Sequence, residues 1–149
     1  MVILWAKNAT MPRKGSPGSA GLDIFALNDV NLQKNQTLKI PTEICIGIPP
    51  GYYGQLFTRS SLAFQNINVV AGVNDGNYRG VVQVLLKNSN NYEFTIFKNM
   101  AIAQLFFLAT STPNFILVSE EELSPSKRGS NGFGLSKKST PLDAYSMID

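Results

Sequence analysis

The sequence predicts an all-β domain built from short antiparallel strands. Apolar and polar residues alternate over many short segments, which is the pattern of a half-buried strand. Gly, Pro, Asn and Asp residues separate these segments and are typical of turns. The sequence shows no long stretch with the period of an amphipathic helix and no internal repeat. We therefore expect the 149 residues to form one sandwich or barrel.

The predicted strands follow one another along the chain, and each is bounded by turn residues. In the first half of the chain they are residues 2–6, 20–26, 30–35, 37–41, 43–48 and 52–57. In the second half they are residues 67–70, 81–86, 92–97, 101–108 and 115–118. The Pro- and Gly-rich residues 11–19 are predicted to form a loop, and residues 58–64 a short helix.

The composition excludes several kinds of functional site. The chain has no histidine, which removes Ser-His and Cys-His nucleophile pairs, His-ligated zinc and His general bases. Catalysis must then use carboxylates, hydroxyls, Lys or Arg, or a hard metal held by oxygen atoms. The net charge of +3 fits small anionic ligands better than nucleic acid. Since no apolar run is long enough to span a membrane, we expect a soluble protein.

The single cysteine, Cys45, cannot form an intrachain disulfide, which agrees with a reducing compartment. It alternates with isoleucines in residues 43–48, and we expect it to lie in the core. The apolar N-terminus has no basic region before it and no small-residue cleavage site after it, so we expect no signal peptide.

A hairpin is predicted where apolar residues 67–70 and 81–86 flank a bend rich in Gly, Asn and Asp. Asp75, Tyr78 and Arg79 lie together on this bend. These three side chains suit the binding of a nucleotide. The carboxylate can activate water, the aromatic ring can pack on a sugar or base, and the cation can bind phosphate. The alternative is an ordinary polar turn, because Asx-Gly turns are common.

After residue 118 the sequence becomes polar and glycine-rich. This change predicts a β domain over residues 1–118 and a flexible arm over residues 119–149. The arm carries Arg128 and a glycine-flanked Phe133. An aromatic and a cation on a flexible segment suit closure over a ligand, whereas plain terminal disorder is the simpler interpretation.

Five polar segments, in this order, resemble the motifs of the trimeric dUTP pyrophosphatase (dUTPase) family. The matching segments are residues 20–26, 59–63, 72–80, 102–105 and 128–134. The resemblance runs from about residue 20 to residue 136 and implies a β-barrel-like jelly roll with a flexible C-terminal arm. It also implies a homotrimer with active sites at the subunit interfaces.

The resemblance implies that Asp75 takes part in the chemical step. The matching acid of the family activates the water that attacks the α-phosphorus of dUTP, which gives dUMP and pyrophosphate. This reaction limits uracil in DNA and supplies dUMP. The implied cofactor is Mg²⁺, held mainly by substrate phosphates and water, with no direct protein ligand assigned.

The resemblance also implies a set of substrate contacts. Tyr78 matches the ring that packs on the deoxyribose, and main-chain groups around Ala71 and Gly72 match those that read uracil. The implied phosphate contacts are Arg59, Ser60, Ser61 and Gln104, with Asp23 in a supporting role. On the arm, Arg128 would reach the γ-phosphate, Phe133 would cap the uracil, and Ser136 would supply a hydroxyl.

The chain departs from the family pattern at Asn74, Asn77, Ala101 and Leu135. These departures leave open a non-catalytic trimer that binds a protein partner through its C-terminal tail and, less favoured, a relative that deaminates dCTP. Taken singly, most of the site residues also fit a structural role. We expect dUTP as the ligand and no nucleic-acid or membrane partner. We also expect an intracellular location in the cytoplasm or nucleus, which would be that of a host cell if the chain is viral.

Overall fold

The structure is a computed structural model that describes residues 1–6 and 8–131. Strands dominate this part of the chain, as the sequence predicts. They are β1 (Ile3–Ala6), β2 (Leu22–Phe25), β3 (Val30–Leu32), β4 (Thr37–Gly47), β5 (Tyr52–Phe57), β6 (Ile67–Ala71), β7 (Val73–Asn74), β8 (Val81–Asn88), β9 (Phe94–Ile96) and β10 (Ala101–Ala109). The predicted short helix is α1 (Ser60–Ala63). Over residues 1–6 and 8–131, no helix has the length and apolar character to cross a membrane.

Two four-stranded antiparallel sheets supply most of the fold, in the orders β1-β4-β8-β6 and β2-β10-β5-β7. A two-stranded sheet pairs β3 with β9. Alternate residues of the long strands are buried, which gives both sheets an apolar face. The largest fully buried side chains are Ile24, Leu32, Ile40, Ile44, Leu62, Ile67, Leu86, Ile96, Ile102, Leu105, Val82 and Val84. The prediction of an all-β fold is therefore confirmed.

Strand β4 joins two segments that were predicted as separate strands. Its pairing with β8 shifts register between Pro41 and Cys45, so a bulge replaces the predicted break. Within the bulge Glu43 has a φ of 57°, and the Thr42 hydroxyl donates a hydrogen bond to the Val82 carbonyl at 2.8 Å. That bond occupies a carbonyl that the irregular ladder would otherwise leave unpaired, which is why the strand continues through the bulge.

The prediction of a strand at residues 115–118 is wrong. The side chains of Phe115, Ile116 and Leu117 are 83%, 86% and 103% exposed, and none of the described residues pairs with this segment. A strand needs a partner for its N–H and C=O groups, and apolar sequence alone does not supply one. The contacts divide the chain into units Met1–Thr112 and Pro113–Asp149, whereas the sequence predicts a boundary at residue 118.

A buried asparagine holds the end of β8 in place. Asn88 is 0% exposed, and its amide group donates to the carbonyls of Leu32, Gln33 and Tyr92 at 3.1, 3.2 and 2.8 Å. Its side-chain oxygen accepts the Asn90 N–H at 3.0 Å. The bonds to the Leu32 carbonyl and the Asn90 N–H are buried and the other two are partly buried, so little water is available to replace Asn88.

We predict that Asn88→Ala lowers the free energy of unfolding by about 3 kcal/mol, since it leaves several buried polar groups unpaired. Urea denaturation measures this change. The matched control is Asn31→Ala, an exposed asparagine in β3, which should stay within about 0.5 kcal/mol of the native chain. Equal effects of the two substitutions would contradict the role given to Asn88.

Candidate active site

The predicted hairpin opens at its tip because its two strands part. Strands β6 and β8 pair only as far as Ala71 and Leu85. The chain then crosses to the other sheet, where Val73 and Asn74 pair with Gln55 and Gly54 of β5. Residues 72–74 and 81–84 are thereby separated by an opening, which we call the hairpin gap.

Gly72 makes this crossing possible. Its C=O lies against β5, where the Leu56 N–H donates to it at 2.7 Å. A Cβ at this position would lie 2.4 Å from the Leu56 carbonyl oxygen, a distance that no side chain tolerates. Glycine is therefore required for close approach of the two backbones.

The hairpin gap contains a cavity of about 220 Å³. Its walls are formed by Val73, Asn74, Asp75, Tyr78, Val81 and Gln83. Asp75 and Tyr78 are exposed side chains at opposite ends of one tight turn, closed by the Tyr78 N–H donating to the Asp75 carbonyl at 3.0 Å. A carboxylate and an aromatic ring thus border the same cavity.

The Tyr78 ring is held in position by its neighbours. Its hydroxyl donates to the Val81 carbonyl at 3.2 Å. A Cβ at Gly80 would lie 2.3 Å from the Tyr78 hydroxyl oxygen, so the ring occupies space that only glycine leaves free. Arg79 closes the turn from the other side, because its guanidinium donates to the carbonyls of Gly76 and Tyr78 at 2.8 and 2.9 Å.

A second polar cluster forms where three strands lie side by side. On β10, Gln104 is opposite Asp23 of β2 on one side and Phe57 of β5 on the other. Arg59 lies two residues beyond the end of β5 and reaches back to this row. Its Nε is 3.2 Å from Asp23 Oδ1, and its Nη1 donates to the Ala101 carbonyl at 3.4 Å. Ser60 and Ser61 begin α1 immediately after it.

The contact between Arg59 and Asp23 is an ion pair rather than an aligned hydrogen bond. The Arg59 Nε is buried and no acceptor meets hydrogen-bond geometry at its N–H, although Asp23 Oδ1 is within 3.2 Å. The Asp23 carboxylate is therefore the charge that compensates for burial of this part of the guanidinium. The remaining nitrogen atoms of Arg59, with the two serine hydroxyls, form a donor set suited to phosphate.

The dUTPase family profile matches residues 7–137. The chain belongs to the dUTPase family. It is 40% identical over 130 residues to a probable deoxyuridine 5′-triphosphate nucleotidohydrolase of Schizosaccharomyces pombe, which covers 87% of this chain and 91% of the relative. It is 39% identical over 129 residues to the corresponding protein of Paramecium bursaria Chlorella virus 1, with coverage of 86% and 90%.

Solved structures agree with this assignment. The dUTPase of Staphylococcus bacteriophage 80alpha, solved with dUpNHpp, superposes with a TM-score of 0.83 and 29% sequence identity. The superposition covers 91% of this chain and 98% of the phage chain. These comparisons confirm the predicted dUTPase-like jelly roll and the prediction that the protein is an enzyme of the dUTP diphosphatase class.

The predicted site residues of this dUTPase fall into two separate groups. Asp75 and Tyr78 border the hairpin gap, whereas Asp23, Arg59 and Gln104 belong to the three-strand cluster. No hydrogen bond or ion pair between described residues joins the two groups. Ala71 and Gly72 border a different cavity, of about 260 Å³, between β5 and β6.

The arm residues are described only in part. Arg128 donates through its Nε to the Asn131 carbonyl at 2.7 Å, which closes a turn around Gly129. Earlier in the arm, the Ser119 N–H and hydroxyl both donate to the Glu122 carboxylate and lower the pKa of Glu122. Phe133, Leu135 and Ser136 lie outside the described residues, so their predicted roles are not tested.

Sequence reasoning missed two features of the site region. Gln83 borders the cavity of Asp75, and a polar residue within the apolar run of residues 81–86 was the signal for it. Cys45, predicted to lie in the core, is half-buried and borders a groove of about 450 Å³ with Trp5 and Arg79. The prediction for Cys45 is wrong because the isoleucines on either side of it point inward, and strand alternation turns Cys45 outward.

We predict that Asp23 and Arg59 are energetically coupled. Asp23→Ala leaves a buried Arg59 nitrogen without its counter-charge and should lower the free energy of unfolding by about 1–3 kcal/mol. In a double-mutant cycle with Arg59→Met, measured by urea denaturation, the coupling energy should reach about 1 kcal/mol. Additive effects within about 0.3 kcal/mol would show that the pair contributes nothing.

Proposed function

We propose that the chain hydrolyses dUTP to dUMP and pyrophosphate, which limits uracil in DNA and supplies dUMP. The observation that carries this proposal is the hairpin gap, which brings a carboxylate, an aromatic ring and open strand edges to one cavity. Membership in the dUTPase family supports it, as do relatives named as deoxyuridine 5′-triphosphate nucleotidohydrolases.

The strand edges in the gap suit the recognition of a planar base. Successive residues of a strand direct their main-chain groups to alternate sides. The Val82 carbonyl faces β4, where it accepts the Thr42 hydroxyl, so Val81 and Gln83 face the gap. Their N–H and C=O groups have no partner strand there, since β6 ends at Ala71, although the Val81 carbonyl accepts the Tyr78 hydroxyl. Donors and acceptors fixed on a strand edge can pair with the N–H and carbonyl groups of uracil.

Tyr78 would provide the surface for the sugar. Its ring borders the cavity. The ring is held by the hydrogen bond from its hydroxyl to the Val81 carbonyl and fits into the space that Gly80 leaves free. A rigid ring packed on the deoxyribose leaves no room for a 2′-hydroxyl. This contact is the proposed source of discrimination against ribonucleotides.

Asp75 would act as the general base. In the proposed step it takes a proton from water, the water oxygen bonds to the α-phosphorus, and the bond from that phosphorus to the bridging oxygen breaks. The pyrophosphate leaves with the electron pair of that bond. The protein contributes mainly positioning and charge compensation, as in other phosphoryl transfers.

The donor set of the site fits Mg²⁺ bound chiefly by substrate. Among the described residues no group of three or more acidic, Cys or His side chains could hold a metal. Mg²⁺ keeps several waters and typically binds one or two carboxylates together with phosphate oxygens. When bound it would neutralise phosphate charge.

We further propose that the two groups of site residues meet between subunits of a homotrimer. One subunit would supply the hairpin gap, and another the phosphate donors Arg59, Ser60, Ser61 and Gln104. The separation of the two groups within one chain supports this arrangement. Arg128, Phe133 and Ser136 would then complete the site from the arm.

The departures at Asn74 and Ala101 are compatible with this function. Asn74 turns its amide group back to the Gly72 carbonyl at 3.4 Å, which leaves the cavity open. At Ala101 the main-chain carbonyl accepts a hydrogen bond from Arg59, a contact that does not depend on the side chain. Asn77 is exposed on the turn.

We predict that Asp75→Asn lowers kcat for dUTP by about 10²–10⁴-fold, because the amide cannot accept the proton. Pyrophosphate release with Mg²⁺ measures kcat, and calorimetry with dUpNHpp should show binding within about tenfold of the native chain. The control Asp29→Asn makes the same change away from the site and should retain full activity. A fully active Asp75→Asn variant would refute the assigned role, and an inactive native chain would refute the function.

We predict that Gly80→Ala raises the KM for dUTP by about tenfold and weakens discrimination against UTP, with stability nearly unchanged. The added Cβ would lie 2.3 Å from the Tyr78 hydroxyl oxygen and would displace the ring from its position, and the exposed ring has room to move outward. The control is Gly18→Ala, whose Cβ would have no atom within 4 Å. Steady-state kinetics with dUTP and UTP measure the KM and kcat of both variants. Identical KM and kcat values for Gly80→Ala and Gly18→Ala would contradict the proposed positioning of Tyr78.

A further inference from the structure

Ser124 lies in the arm between two turns that are closed by their own hydrogen bonds. Before it, the Leu123 N–H donates to the Glu120 carbonyl at 3.2 Å. After it, the Gly129 N–H donates to the carbonyl and the hydroxyl of Ser126, both at 3.1 Å. Ser124 is exposed, and no hydrogen bond joins its hydroxyl to another described residue. This hydroxyl is therefore accessible to an enzyme that modifies it.

The residue after Ser124 is a proline, which suits one class of protein kinase. Pro125 has no backbone N–H to satisfy, and it favours an extended backbone at Ser124. Proline-directed kinases accept a Ser-Pro or Thr-Pro pair of this kind. The sequence has such pairs beginning at Ser16, Thr112, Ser124 and Thr140. Only Ser124 is followed three residues later by a base, Lys127, and charge patterns of this kind help to select kinase substrates.

The charges on the two sides of Ser124 have opposite signs. The glutamates of residues 120–122 precede it, and Lys127 and Arg128 follow it. A phosphate on Ser124 would add a charge of about −1.5 to −2 at pH 7, with strong acceptor oxygens. The glutamates would repel this phosphate, and the two bases would attract it. A phosphate on Ser124 would therefore turn toward Arg128.

Arg128 has donors that can bind such a phosphate. Its Nε donates to the Asn131 carbonyl at 2.7 Å, whereas its Nη1 and Nη2 make no hydrogen bond with a described residue. A guanidinium binds phosphate through charge-assisted hydrogen bonds, often through two nitrogen atoms at once. In the proposed function Arg128 uses the same donors for the γ-phosphate. A phosphate on Ser124 and the nucleotide would then compete for one guanidinium.

We propose that Ser124 is phosphorylated by a proline-directed protein kinase and that its phosphate competes with the nucleotide for Arg128. The competition rests on the proposed function. In the transfer, the Ser124 oxygen bonds to the γ-phosphorus of ATP, and the bond from that phosphorus to the bridging oxygen breaks. ADP leaves with the electron pair, and the hydroxyl proton passes to the catalytic aspartate of the kinase. The phosphorylated chain binds the triphosphate more weakly and keeps its contacts to the base and sugar.

The site is tested by incubating the full chain with ATP, Mg²⁺ and a cyclin-dependent kinase and locating the phosphate by mass spectrometry. We expect phosphate on Ser124 and its loss in Ser124→Ala. The control Ser16→Ala removes another exposed serine that precedes a proline, without a base three residues later, and should be phosphorylated like the native chain. A native chain that takes up no phosphate at Ser124, or takes it up equally at Ser16, would overturn the site.

The competition is tested by calorimetry on the phosphorylated and unmodified chains. Phosphorylation should raise the Kd for dUpNHpp about tenfold and change the Kd for dUMP, which has no γ-phosphate, by less than about twofold. Phosphatase treatment should restore the original Kd. In Arg128→Met, phosphorylation should change the Kd for dUpNHpp by less than about twofold, because the contact at issue is already absent.

The outcomes distinguish this inference from the function on which it rests. If the native chain hydrolyses dUTP and phosphorylation leaves its Kd for dUpNHpp unchanged, the competition is overturned and the function stays intact. Equal weakening of dUMP and dUpNHpp, or an undiminished effect in Arg128→Met, also overturns the competition. A native chain that neither binds dUpNHpp nor hydrolyses dUTP overturns the function and the competition together, whereas mass spectrometry still decides the Ser124 site.

Discussion

The close approach of Gly72 to the backbone of β5 is the constraint on which the site depends. It moves the chain from one sheet to the other after only five residues of β6. The hairpin therefore opens where a regular ladder would have continued to the turn. The opening leaves residues of β8 without a partner strand on that side and gives a cavity between strands that are each anchored in a sheet. A binding site built on anchored strands is held more rigidly than one built on a loop alone.

The turn at the tip of the gap is stabilised by its own polar groups. The Arg79 guanidinium binds two carbonyls of the turn, and the Tyr78 hydroxyl binds that of Val81. One nitrogen of Arg79, Nη1, is thus engaged within the hairpin, although a cation on this loop could have been expected to meet phosphate. The cation suited to phosphate is Arg59, which Asp23 holds beside α1. In the proposed function Arg59 supplies charge to the substrate, whereas Arg79 stabilises the turn.

The sequence predicts most strands because alternation of apolar and polar residues reports directly on burial. It fails where the outcome depends on pairing. The bulge at Glu43 keeps β4 continuous through a predicted break, and residues 115–118 remain unpaired despite their apolar character. The order of the motifs predicted a set of site residues, but the proximity of Asp23 to Arg59 depends on the register of β2, β10 and β5, which no local pattern encodes. Gln83 was missed for the same reason, since its strand faces the cavity only because β6 ends early.

The proposed function is tested most directly by a crystal structure of the chain with dUpNHpp and Mg²⁺. We expect the base between residues 72–74 and 81–84, the sugar against the Tyr78 ring, and the α-phosphorus within reach of an Asp75-bound water. We also expect phosphate contacts from Arg59 of a neighbouring subunit. A base bound elsewhere, such as the groove beside Trp5, or a site completed within one chain, would contradict it.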